Sequence, residues 1–169
     1  MKLQYQQFRQ ESENDVNRLQ KILMAAPSYH LLIKGKLPGI DAALKALQEL
    51  PPGKSEGDKY FFGIKRSGDY IGCFDLVRDY PESKIAFIGL LLFIESAQNR
   101  SYGVQVLKHI KGMVEQWDCT HLRLAVIENN QTALSFWKRE GFIKLYRKLS
   151  EQYSRNAIVM EYALTKAST

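Results

Sequence analysis

Ile85 to Gln105 reads IAFIGLLLFIESAQNRSYGVQ, and this stretch decides the fold. Ile85 to Ile94 is apolar at every position, as expected of a central strand covered on both faces. An irregular segment follows, and Arg100-Ser101-Tyr102-Gly103-Val104-Gln105 opens a helix running from Gly103 to Trp117, with Val104, Leu107, Ile110, Met113, Val114 and Trp117 expected inward. A strand, a loop and a helix N-terminus in that order make an anion site, because the first turn of a helix has unpaired N–H groups and the positive end of the dipole. Gly103 would let a backbone or a ligand come close. Alone, the pattern is more often a simple turn before a helix.

Outward from this stretch, the chain alternates in character. Toward the N-terminus, Lys2 to Phe8 reads as a strand, and Ser12 with Asp15 as the start of a helix carrying Val16, Leu19, Ile22 and Leu23. A second helix is expected through Tyr29 to Ile33. A third lies between the breaks Leu37-Pro38-Gly39 and Pro51-Pro52-Gly53, with Ile40, Ala43, Leu44, Leu47 and Leu50 on one face. Tyr60 to Ile64 and Tyr70 to Val77 are strands joined at Ser67-Gly68-Asp69, a hairpin signal. Beyond the helix, His121 to Val126 alternates, with Leu122, Leu124 and Val126 on one face. Asn130 is placed to cap a short helix ending at Gly141, and Phe142 to Leu149 and Asn156 to Leu164 are the last strands. The expected class is α/β (α+β), a mixed sheet of six to seven strands with flanking helices, in a single domain spanning 1–169.

Composition narrows the function. With 169 residues, 45% hydrophobic and 25% charged, the chain fits one globular domain. No apolar run approaches the roughly 18 residues that span a bilayer. The two cysteines, Cys73 and Cys119, lie in apolar strand-like or helix-end sequence, and the N-terminus has no leader pattern, which together imply a reduced, cytoplasmic setting. A net charge of +6 favours an anionic partner: a phosphorylated cofactor, nucleic acid or a membrane surface. The cations are scattered, with no basic block, which argues against nucleic acid. His30, His109 and His121 read as surface or helix residues, and neither they nor the cysteines have metal-ligand spacing.

The second informative segment is Asn130, Ala133, Phe136, Trp137, Gly141 and Phe142, in the pattern Asn-x-x-Ala-x-x-Phe-Trp-x-x-x-Gly-Phe. Together with Arg100-x-x-Gly103, it resembles the GNAT superfamily of acyl-CoA N-acyltransferases over Tyr60 to Leu164. Leu50 to Lys54 and Asp79-Tyr80-Pro81 look similar to segments of bacterial members. The resemblance implies a splayed sheet with acetyl-CoA inserted between its fourth and fifth strands, and direct transfer of the acetyl group to an amine in a ternary complex. It implies that Leu92, Phe93 and Ile94 hold the pantetheine arm and thioester through their backbone. Arg100, Ser101, Tyr102, Gly103, Val104 and Gln105 would surround the pyrophosphate. Asn130 would hydrogen-bond the pantetheine, and Ala133, Phe136 and Trp137 would line the cofactor or pack beneath it. The implied acceptor is a small molecule or a protein amine, and the protein a monomer or homodimer without a metal.

The sequence departs from the family pattern at Ser101 and Gln105, where glycine or alanine is usual, and has about two extra residues before Arg100. Trp137 replaces a tyrosine that often protonates the leaving thiolate; an indole N–H supplies no proton at neutral pH. A thiol of pKa about 8.5 leaves tolerably without that acid. Glu95 at the strand end is the first candidate base and Asp75, a lone carboxylate in an apolar strand, the second. Two other readings stand beside the enzyme: a CoA-binding protein without turnover, and a basic nucleic-acid-binding domain.

Overall fold

The computed structural model describes residues 2–164. In chain order it has β1 (Gln4–Gln7), α1 (Glu13–Met24), α2 (Pro27–Lys34), α3 (Ala42–Gln48), β2 (Lys59–Arg66), β3 (Asp69–Val77) and β4 (Ile85–Phe93). Then come α4 (Tyr102–Gln116), β5 (His121–Ile127), α5 (Gln131–Arg139), β6 (Ile143–Ser150) and β7 (Arg155–Ala163). The strands form one sheet in the order β1-β2-β3-β4-β5-β7-β6. All neighbours are antiparallel except β4 and β5.

Local chemistry sets the element ends. The Ser12 hydroxyl accepts from the Asp15 N–H and caps α1. Ser67 (φ 53°) and Gly68 (φ 85°) form the two-residue turn between β2 and β3, whose positive φ angles match the twist of a hairpin. Asn130 caps α5 through the Ala133 N–H, and Gly141 at φ 95° ends that segment.

The two-residue period of the strands sorts side chains onto two cores. On one face Phe61, Cys73 and Leu92 meet Leu19, Ile22 and Leu23 of α1 and Ala43 and Leu47 of α3. On the other, Ile64, Phe74, Leu76, Ile88, Leu122, Leu124 and Met160 meet Val106, Leu107, Ile110 and Val114 of α4 and Leu134 and Trp137 of α5.

Three expectations need correction. Ile40 is fully exposed and Leu44 and Leu50 are exposed too, because α3 begins only at Ala42 and turns just Ala43 and Leu47 inward. Val104 is exposed: it lies about 100° round α4 from Gly103, off the stripe formed by Val106, Leu107, Ile110 and Val114. β4 is not covered throughout, since Gly89 is exposed and Phe87, Leu90, Leu91 and Phe93 are half-buried. His30 is a helix residue as read, but a buried one.

Candidate functional site

The loss of cover on β4 coincides with an irregularity of register. Asp75 pairs with Leu90 and Leu76 with Ile88, so Gly89 is an extra residue that bulges from the β3–β4 ladder. Ile88 therefore faces the α4 core while Leu90 turns to the α1 side. The parallel pairing with β5 stops at the same place, at Ile88–Leu124, although β4 runs on to Phe93 and β5 to Ile127. Gly89 and Ala125, each in the middle of an interior strand, are exposed where the two strands part. An exposed residue at the centre of a sheet marks an opening. A cavity of about 270 Å³ lies near β1 and β2, lined by Gln7, Phe8, Leu47, Glu56, Lys59 and Phe61.

Beyond the bulge, one edge of β4 has no strand against it among the described residues. The Ile94 N–H donates to the Ile71 carbonyl of β3 (2.9 Å), so by alternation the Phe93 N–H points to the opening. The Phe93 carbonyl is occupied by the Gln98 amide (3.0 Å). Leu92 is buried in the α1–α3 core.

The N-terminus of α4 sits at the end of this edge. Tyr102 packs against Phe93 (6.2 Å between ring centroids), and a Cβ on Gly103 would meet Phe136 of α5 at 3.0 Å. A side chain at position 103 would thus press on the Phe136 ring. Ser101 adopts φ 62° and Asn99 φ 61°, the left-handed conformation, which explains a preference for glycine at position 101. Ser101 supplies no side-chain cap and the first turn carries no acid, so the N–H groups at the positive end of a fifteen-residue helix stay available to an anion. Arg100 and Gln105 are exposed here. Arg66 adds a cation over the Tyr102 ring (5.7 Å).

Other residues singled out in the sequence have structural partners. Asn130 spends its side-chain oxygen on the α5 cap, half-buried Ala133 follows one turn on, and Trp137 is buried between Phe136 and Phe142. The indole stands edge-on to both phenyl rings. Glu95 is exposed in the turn after β4. Its carboxylate accepts from the Ser28 N–H (2.7 Å) and hydroxyl, and its own N–H donates to Ala25. It caps α2, whose N-cap residue Ala26 has no side chain for the task, and the Ser28 bonds hold its pKa down.

Asp75 has the opposite character. It is 8% exposed, its Oδ2 accepts from the Lys59 ammonium (3.0 Å), and its Oδ1 has no hydrogen-bond partner among the described residues. A Cβ on Gly89 would lie 2.7 Å from Oδ2, so the carboxylate rests against the bulge. Burial outweighs the Lys59 charge and pushes the Asp75 carboxyl up to about 6. Tyr29 on α2 packs against both the α1-side core and the Ile127–Ala157 cluster with Tyr153, and so bridges the far ends of the parted strands. The sequence reading missed Lys59, Gly89 and Gln98; a lysine two residues before Phe61 on an inward-facing register was the one available signal.

A sheet parted between two parallel strands, with an uncapped helix N-terminus at the gap, offers backbone donors to an elongated ligand ending in an anion. The chain belongs to the acetyltransferase (GNAT) family, whose sequence model matches residues 24–142. It resembles an acetyltransferase from Thermus thermophilus with TM-score 0.82 and 23% identity, over 97% of this chain and 98% of that one. The ribosomal-protein-S18-alanine N-acetyltransferase of Escherichia coli superposes with TM-score 0.71 at 14% identity, over 99% and 97%. The paia N-acetyltransferase of Thermoplasma acidophilum, solved with coenzyme A, gives 0.66 at 15% identity, over 96% and 99%. No curated protein sequence matches the chain. Among the described residues no helix is long and apolar enough to cross a membrane, and no group of three or more His, Cys, Asp or Glu is placed to hold a metal.

Proposed function

We propose that the protein is an acetyl-CoA-dependent N-acetyltransferase that transfers the acetyl group directly to a primary amine in a ternary complex. The observation that carries this reading is the coincidence of the Gly89 bulge, the end of the β4–β5 pairing and the buried Asp75 carboxylate at one point of the sheet. The residues fit the co-substrate. The free edge of β4 at Phe93 matches an amide-bearing arm, and the α4 first turn from Tyr102 onward, with Arg100, matches a pyrophosphate. Ser101 is compatible because backbone N–H groups, not its side chain, make that site.

On the amine side we assign the base to Asp75 rather than Glu95. A carboxyl with a pKa near 6 accepts a proton at neutral pH better than one held low by Ser28. The ammonium of the acceptor gives its proton to Asp75, directly or through water. The freed nitrogen attacks the thioester carbon, the Phe93 N–H stabilises the oxygen that becomes negative, and the C–S bond breaks as the C–N bond completes. Coenzyme A leaves as thiolate and, since Trp137 supplies no proton, takes up through water the second proton that the nitrogen loses on becoming an amide. The acceptor is a small molecule or a protein amine. Two buried, unpaired thiols at Cys73 and Cys119 support a reducing, cytoplasmic setting.

The test is thiol release from acetyl-CoA with a panel of amines, with mass spectrometry of the products. An acceptor gaining one acetyl group per thiol released is the expected result. Tight coenzyme A binding without amine-dependent release would instead support the reading in which the protein binds and does not turn over.

A further inference from the structure

Lys59 is the buried charge that this reading leaves without a task. Its side chain is 8% exposed, and a buried ammonium is costly unless each proton has an acceptor. Nζ donates to Asp75 Oδ2 (3.0 Å) and to the Glu49 carbonyl (2.8 Å), and lies over the Phe61 ring (5.7 Å). The ammonium has little freedom to swing away, because the segment leading to it is pinned as well. Lys54 donates to the Asp79 carbonyl (3.1 Å) and pairs with Asp58 (3.5 Å), which brings the Leu50–Lys54 and Asp79–Pro81 segments together at the end of β3.

We propose that Lys59 is a positioning residue for acetyl transfer: by binding Oδ2 of Asp75 it leaves Oδ1 as the oxygen that takes the proton, and it supplies the counter-charge that the buried carboxylate needs. This inference rests on Asp75 being the base. The geometry points the same way from both ends. Oδ2 is pinned between Lys59 and the Gly89 bulge, while Oδ1 is buried from solvent without a partner among the described residues, so a proton reaches it only where the parted strands open beside Gly89. The charged groups that bear on Asp75 are Lys59 from β2, which favours its ionised form, and Glu49 after α3, which opposes it; Cys73 beside it on β3 is a neutral thiol. Burial opposes the ionised form as well, so Lys59 is the group whose charge works in its favour.

The experiment measures kcat/KM against pH for the parent, Lys59→Met and Lys59→Arg with one amine acceptor, with circular dichroism to confirm folding. Removing the cation should move the acid limb up by about two pH units. At pH 7 the Met variant should then be about tenfold slower or worse, and it should recover most of its rate by pH 9, while Lys59→Arg keeps the parent profile. If Lys59→Met fails to fold, Lys59→Gln serves, since it is neutral but still a donor. A loss by the same factor at every pH, or an acid limb that stays in place, overturns the inference while leaving the acetyltransferase reading intact. A parent protein without amine-dependent turnover at any pH overturns both.

Discussion

The two sides of the parted sheet are made of different material. On the α4 side the candidate contacts are backbone: the Phe93 N–H along β4 and the first turn of α4, with glycine-favouring geometry at Ser101 and close packing at Gly103. On the α1–α3 side they are side chains: Asp75, Lys59 and Tyr29, drawn from three elements. A backbone site tolerates substitutions that keep the turn, which is why Ser101 and Gln105 are compatible with it. A side-chain site is changed by any single replacement.

The largest effect that would break or sharpen this contrast is expected at Asp75. Asp75→Asn should lower kcat/KM by about 10² to 10⁴ and abolish an acid limb near pH 6, with coenzyme A affinity unchanged by calorimetry. If affinity falls together with rate, the two sides are not separate. Gly89→Ala should come next, with a loss of about ten- to a hundredfold. Its Cβ would stand 2.7 Å from Oδ2 and displace the carboxylate from its place. Unchanged steady-state rates in that variant would dissociate the bulge from the base.

Smaller effects concern stability. A carboxyl raised to about 6 in the fold ionises near 3.9 when unfolded, so the folded state holds more protons between these values. The contribution of Asp75 to stability is therefore full below about pH 4 and declines as pH rises to about 6, by about 3 kcal/mol at most. Denaturant midpoints across that window should show the decline in the parent and lose it in Asp75→Asn. Ser101→Gly should stabilise by about 1 kcal/mol at most, by relieving a left-handed serine, with coenzyme A affinity held or improved. Weaker binding there would mean that the hydroxyl itself contacts the ligand. The smallest effect is expected for Glu95→Gln, which keeps an acceptor for Ser28: turnover should change by less than about threefold, with a slightly lower melting temperature. A collapse of rate in a folded Glu95→Gln protein would return the base to Glu95.

The contrast also tracks what was legible. Strand and helix order followed from periodicity, and the caps at Ser12 and Asn130 and the Ser67-Gly68 turn followed from local chemistry, because these depend on residues within one turn or one pleat. The α4 loop was legible for the same reason, since a helix start is a local event. Val104 and Ile40 were misread inward: which way an apolar residue faces depends on how a helix is rotated and where it begins, and local pattern sets this only to within a turn.

The sequence by itself determined the class of fold, the order of its elements and the position of the helix start proposed to bind an anion, all of which rest on contacts close along the chain. Only the tertiary structure decided which carboxylate is suited to act as a base. Asp75 and Glu95 are alike as residues, and their proton affinities diverge because one is buried between Lys59 and the Gly89 bulge while the other caps a helix in solvent. Those partners lie 14 to 67 residues away in sequence, and folding sets the burial and the pairing that fix the charge.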